Sequence, residues 1–315
     1  MADSPLLNVR SLSRVFGTQH AVNDVSFSIN KGEVLGFLGP NGAGKSTTMK
    51  MLSGNLAPSY GEITINGYDL LSEPKQAKSH IGYLPETPPL YKELTVAEFL
   101  YFCAQINQIP SSNRKKAINI AIDRCGLNDV AQRLIGHLSK GFQQRVGIAQ
   151  AIIHSPAVVI LDEPTSGLDP IQIKEIRHLI RDIATEHSVI LSTHILPEVQ
   201  TLCDRVQIIN QGKLIFSDSL SGLSQHMQAS SLLVTLKAPP TRVQLYTLEG
   251  VSSVETLSPT QFKLHYHPEN NPTELLLEQA VSRQWQLMEL TPIQHSLEDV
   301  FMNIIQQENS AMEQS

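Results

Sequence analysis

The stretch GPNGAGKST, Gly39 to Thr47, sets glycines, a lysine and a hydroxyl in the spacing G-x-x-x-x-G-K-[ST]. Gly39, Gly42 and Gly44 permit positive φ and a close approach of backbone to a ligand. The amides of Gly42 to Ser46 can then ring a phosphate at the positive end of the helix that follows. Lys45 adds charge toward the β- and γ-oxygens, and the Ser46 hydroxyl stands where it can ligate Mg²⁺. Pro40, Asn41, Ala43 and Thr47 complete the loop.

A phosphate cradle hydrolyses nothing alone. AVVILDEP supplies further parts. Asp162 ends an apolar strand, so its carboxylate emerges at the carboxyl edge of a sheet, where it can hold Mg²⁺ directly or through water. Glu163 is the natural general base for an attacking water. The bland alternative is an acidic pair at a strand end capping the next helix. His194 closes SVILSTH, again just past an apolar run. A lone histidine is usually structural, but its place at the same edge as Lys45 and Asp162 favours a γ-phosphate contact. LSKGFQQR, Leu138 to Arg145, reads as a helix start capped by Ser139. Its bare amides at Ser139, Lys140 and Gly141 face either solvent or a phosphate bound elsewhere.

The elements that must position these residues follow from periodicity. Residues 6–29 alternate, as half-exposed antiparallel strands do. GEVLGFLG is a buried strand, and a helical run extends from Lys45 to about Asn55. The pattern is helical from about 94 to 154, and AVVILD and SVILST are fully apolar strands. Strands alternating with helices imply a parallel sheet with helices on its faces, and the 94–154 stretch is an insertion beside it. After about Leu220 the character changes. SLLVTLK, VSSVETLS, QFKLHYH and WQLMELT read as strands, TELLLEQAVSRQ and SLEDVFMNIIQQ as helices, and ENSAMEQS as a frayed tail. The expected domains are 1–221 and 222–315.

Composition sets the limits. In 315 residues, 41% are hydrophobic and 17% charged, enough for a sizeable core. The net charge of −6 argues against a protein that coats nucleic acid, and no nucleic-acid partner is expected. The three cysteines, Cys103, Cys125 and Cys203, stand far apart, as buried thiols in a reducing compartment do. MADSPLLNVR lacks the pattern of a secretory signal, and no window reaches a spanning length.

Phosphate loop, LSKGFQQR, ILDEP, SGLD and STH occur here in the order seen in ABC-type ATPases. Over about residues 5–220 the chain resembles an ATP-binding subunit of an ABC transporter. The resemblance implies an α/β P-loop NTPase with a mostly parallel sheet core, an antiparallel N-terminal β part, a helical insertion and a small α+β C-terminal domain. It implies ATP and Mg²⁺ as ligands, and two ATPase subunits paired head to tail. LSKGFQQR then resembles the signature motif, whose Ser139 and Gly141 meet the γ-phosphate held by the partner. Asp169 of SGLD would help couple the two sites, and Phe16 resembles the aromatic that stacks on adenine. The bland alternative for Phe16 is a core residue of its strand.

Lys140 and Phe142 stand where the usual L-S-G-G-Q has its first glycine and its glutamine. Glu86, in GYLPETPPLY, stands where glutamine is common and can still ligate Mg²⁺ through oxygen. Both departures, with the C-terminal SLEDVF, resemble the ABC-2-type exporter branch with its drug-export and gliding-motility ATPases. That implies a separate multi-spanning permease and a peripheral place on the cytoplasmic face of the membrane. A soluble ABC-type ATPase acting on ribosome or DNA is disfavoured by the single cradle and the absence of a heptad run. A nucleotide-binding regulator without turnover is disfavoured by the intact Lys45, Asp162, Glu163 and His194.

Overall fold

The computed structural model describes residues 5–225, 231–267 and 269–293. The alternating N-terminal stretch forms β1 (Leu7–Phe16) and β2 (Gln19–Ile29), paired antiparallel from Leu7↔Ile29 to Phe16↔Gln19. Strict alternation fails at Ser11, whose φ of 47° lies in a register shift, so Leu12 and Ser13 are both buried. With β4 (Tyr60–Ile65) and β5 (Tyr68–Asp69) they make the antiparallel sheet β2-β1-β4-β5.

The second sheet holds β3 (Val34–Leu38), β6 (Ile81–Leu84), β7 (Val158–Asp162), β8 (Ser188–Thr193), β9 (Arg205–Asn210) and β10 (Lys213–Ser219), in the order β10-β9-β3-β8-β7-β6. All its pairs are parallel except β10 with β9. Strands β3, β7 and β8 are buried at every position, which explains their unbroken apolar runs. Leu38 pairs with Thr193, and Asp162 with Ser192. The glycine-rich loop, Glu163 and His194 therefore all leave one carboxyl edge, where open α/β sheets bind ligands.

Around the sheets lie α1 (Lys45–Leu52), α2 (Pro74–Ser79), α3 (Val96–Ile106), α4 (Ser111–Arg124), α5 (Lys140–Ile152), α6 (Pro170–Ala184) and α7 (Leu196–Leu202), and α8 (Leu220–Gln225) follows β10 along the chain. α1 stops short of the expected Asn55, because Gly54 takes φ +69° and ends the helix. Helices α3, α4 and α5 make the expected insertion.

The chain divides into two compact units between Leu220 and Ser221. The second contains β11 (Ser231–Leu236), α9 (Arg242–Tyr246), β12 (Val251–Ser258), β13 (Gln261–Tyr266), α10 (Thr273–Ser282) and β14 (Leu287–Ile293). Its sheet, β12-β13-β11-β14, is wholly antiparallel, a split β-α-β-β-α-β arrangement. Leu232, Val234, Phe262, Leu264, Leu276 and Trp285 build its core. The helix expected over SLEDVFMNIIQQ and the tail ENSAMEQS lie outside the described residues. All three cysteines are buried and free, and burial pushes the Cys103 and Cys125 thiols up to about 12.

Candidate functional site

The loop after β3 bends tightly enough that only glycine fits one position. Gly44 has φ +108°, and a Cβ there would lie 2.5 Å from the Ala21 carbonyl oxygen. Lys45 opens α1 and folds back, its Nζ donating to the carbonyls of Gly39 at 2.8 Å and Pro40 at 3.3 Å. The same Nζ lies 3.4 Å from Glu163 Oε1. The other Glu163 oxygen, Oε2, is 2.8 Å from His194 Nδ1. A buried carboxylate is thus held between an ammonium and an imidazole, which fixes its direction.

Glu163 itself has φ 49°, a left-handed backbone that a non-glycine residue adopts at a cost of about 1–3 kcal/mol. Its N–H donates to the Ser192 carbonyl at 3.0 Å, which ties this turn to β8. Ser46 Oγ donates to Asp162 Oδ1 at 3.2 Å. Burial raises the Asp162 pKa. The Ser192 and Ser46 hydroxyls oppose that shift, and the charges of Glu163 and Glu86 add to it.

Asn41, Gly42, Gly44, Lys45, Ser46 and Thr47 line a cavity of about 770 Å³, and Asp162 lies behind its wall, reached through Ser46. Glu86, Glu163 and His194 lie on its walls as well. Five cavity residues carry no motif: Gln19, His20 and Ala21 from the β1–β2 hairpin, and Gln211 and Gly212 from the β9–β10 hairpin. Their only sequence signal is their place in tight turns. Ser166, the first residue of SGLD, also lines the cavity.

Phe16 ends β1 and is 49% exposed, with the Arg14 guanidinium 4.7 Å over its ring, so it is not a core residue. It pairs with Gln19 of the cavity wall.

Ser139 and Gly141 are not on the cavity wall. They line a separate recess with Phe142 and Gln172. Ser139 caps α5, accepting from Phe142 N at 3.4 Å. A Cβ on Gly141 would come within 2.7 Å of Gln172 Cδ, so α5 and α6 approach closely here. Asp169 caps α6, accepting from the amides of Ile171 at 3.0 Å and Gln172 at 2.9 Å. Arg145 of α5 ties that helix to α6 and to the end of α4, donating to Glu175 at 2.7 Å and to the Cys125 carbonyl at 3.1 Å.

The ABC transporter family model matches residues 22–166. The uncharacterized ABC transporter ATP-binding protein YxlF of Bacillus subtilis (strain 168) is 33% identical over 95% of this chain and 99% of its own length. The chain belongs to the ABC transporter ATP-binding proteins. This ABC protein is also 41% identical to the bacitracin transport ATP-binding protein BcrA of Bacillus licheniformis, over 67% of this chain and 69% of that one. It is 32% identical to the linearmycin resistance ATP-binding protein LnrL of Bacillus subtilis (strain 168), over 95% and 98%. A solved ATP-binding subunit of an ABC transporter covers 70% of the chain and 92% of itself, at 33% identity and TM-score 0.64. CbiO1 from Clostridium perfringens, part of an ABC transporter complex, covers 71% and 92% at 29% identity and TM-score 0.65. The ABC protein is thus an ATP-binding ATPase, and its fold is the P-loop α/β arrangement expected. Among its described residues no helix is long and apolar enough to cross a membrane.

Proposed function

We propose that this ATPase powers export through a separate multi-spanning membrane subunit, working as a head-to-tail pair on the cytoplasmic face of the membrane. The observation that carries the chemistry is the Glu163 carboxylate, held 3.4 Å from Lys45 Nζ and 2.8 Å from His194 Nδ1 at the mouth of the phosphate cradle. The amides of Gly42 to Ser46 hold the β-phosphate, and Lys45 turns to the β/γ oxygens. Glu163 takes the proton of the attacking water, and His194 contacts the γ-phosphate and orients the base. Phe16, exposed beside the cavity wall, stacks on adenine.

Ser46, Asp162 and Glu86 are the residues that would hold Mg²⁺. Their hydroxyl and carboxylate oxygens are hard donors, and crowding of acidic groups around buried Asp162 favours a divalent cation there. Among the described residues no cluster of three or more acidic, histidine or cysteine side chains forms a complete metal cage. That suits an ion whose shell is finished by phosphate and water. Bound Mg²⁺ neutralises charge on the β- and γ-oxygens.

The pairing rests on the signature residues. Ser139 and Gly141 lie off the cavity of their own chain, so their amides serve a phosphate held by a second copy, with Asp169 coupling the two sites. A two-fold pair completes both sites at once. Hydrolysis removes the γ-phosphate contacts and the pair opens. The permease contact is the helical insertion with the segment Glu86 to Tyr91. Tyr91 is 51% exposed and edge-on to Phe99 and Phe102. Export is supported by the relatives named for bacitracin transport and linearmycin resistance. Residues 1–221 are read as the ATPase domain and 222–315 as an accessory domain.

Glu163→Gln protein tests the reading. With ATP and Mg²⁺ it should hydrolyse little and elute as a dimer, and tagged protein drawn from its native membranes should bring down a multi-spanning subunit. Wild-type turnover would remove Glu163 as the base. Recovery of ribosomal or DNA-associated proteins alone would overturn the membrane role.

A further inference from the structure

A buried carboxylate outside the hydrolytic residues has a traceable route to His194. Glu198, on α7, is 0% exposed. Its Oε2 accepts the Thr193 hydroxyl at 2.8 Å, and its Oε1 meets Arg177 Nη2 of α6 at 3.4 Å. Thr193 Oγ1 in turn accepts the Ile195 amide at 3.0 Å. One hydroxyl therefore closes the backbone turn Thr193–His194–Ile195, and one carboxylate holds that hydroxyl. At the apex of this turn His194 reaches Glu163 at 2.8 Å.

Taking a carboxylate wholly out of water costs about as much as its ion pair returns. An apolar side chain would anchor α7 to β8 at lower cost. What an apolar side chain cannot do is accept the Thr193 hydroxyl and so fix the turn that carries the histidine. We propose that Glu198 and Arg177, acting through Thr193, are positioning residues that set His194 against Glu163 and couple it to α6. Arg177 stands mid-way along α6, and the first turn of that helix, capped by Asp169, packs on Gly141 of the signature stretch through Gln172. One rigid helix then links the γ-phosphate contact of a chain's own site to the stretch that serves the other site. This rests on the reading of His194 as the γ-phosphate contact.

The test uses the full chain and Thr193→Val, which keeps the volume, removes the hydroxyl and leaves Glu198 paired with Arg177. The kcat for ATP per folded chain, read well below the melting transition, should fall about tenfold or more with KM changed less than about twofold, while the melting temperature falls because Glu198 and the Ile195 amide lose a partner. In a His194→Ala background the same substitution should add no further loss, since it acts through that ring. Arg177→Lys should keep more turnover than Arg177→Met. A wild-type kcat for Thr193→Val, or a loss that multiplies onto a His194→Ala defect, overturns the positioning role alone. Wild-type turnover by His194→Ala itself overturns the histidine's role, and this inference with it.

Discussion

The two units of the chain bury different things. The first encloses Lys45, Asp162, Glu163, His187 and Glu198 among its apolar strands. In the second, Ser231 is the one buried polar residue among those described, and its hydroxyl meets His265 Nδ1 at 3.0 Å. Both have continuous apolar cores, so stability alone does not require buried charge. Charges that cost energy to bury persist where a reaction uses them. In the first unit Lys45, Asp162 and Glu163 lie at the edge where β3, β7 and β8 end, and Glu198 bonds Thr193 there, while His187 sits at the opposite edge against the Pro156 carbonyl. The second has the composition of a packing module.

The sharpest way to break that contrast is to neutralise one buried charge. Glu163→Gln preserves shape but exchanges one accepting oxygen for a donating amide and cannot take a proton. Turnover should fall by about 10²–10⁴-fold while ATP still binds. A steady-state ATPase assay beside nucleotide-binding fluorescence checks this. If turnover survives, the buried charges of the first unit are structural and the contrast loses its meaning.

An equal cut in the second unit should do the opposite. Leu264 is fully buried on β13. Leu264→Ala should destabilise that unit by about 2–5 kcal/mol through lost burial and a cavity. Calorimetry should show its transition moving down while ATP turnover per folded chain stays unchanged. A parallel loss of turnover would make the second unit a working part of the ATPase.

Much of the site could be read from residue order because its parts are local. The loop Gly39 to Thr47 is one contiguous motif, and the apolar runs before Asp162 and His194 announce buried parallel strands. Register then carries all three to one edge without further information. The cavity wall at Gln19, His20 and Gln211 was not legible, since hairpin residues contribute by position rather than by type. Nor was the pair of Arg177 with Glu198, whose charges belong to α6 and α7. On a chain they look like solvated helix residues, and only packing against β8 removes Glu198 from water. The bulge at Ser11 was hidden for a related reason: alternation reports which residues favour the core, not where the backbone slips.

Polar side chains at helix starts give a gentler comparison. Asp169 accepts two amides at the start of α6. Asn271 accepts the Thr273 amide at 3.0 Å beside α10. Either change to alanine should cost about 0.5–2 kcal/mol in its own unit. Only Asp169→Ala should also lower turnover and ATP-driven pairing, measured by light scattering. Equal effects of the two on turnover would remove Asp169 from the coupling of the two sites.

The smallest expected effect separates two matched helix starts by charge. At α3, Glu98 Oε2 accepts the Thr95 amide and hydroxyl, each at 2.8 Å. At α9, Gln244 Oε1 accepts the Thr241 amide at 2.9 Å and its hydroxyl at 3.2 Å. The geometry is nearly the same, but only Glu98 can titrate. Its bonds from the Thr95 amide and hydroxyl hold its pKa below the usual glutamate value. A lowered folded-state pKa means the charged form is favoured by folding. The contribution is therefore complete above the unfolded glutamate value and is lost as pH falls through the lower folded one. Glu98→Gln should flatten that acid-side slope for the first unit, whereas Gln244→Ala should lower the second unit's stability equally at all pH. Melting temperatures recorded from neutral to acid pH distinguish the two. A slope unchanged by Glu98→Gln would mean that solvent screens this exposed carboxylate as fully in the folded chain as in the unfolded one.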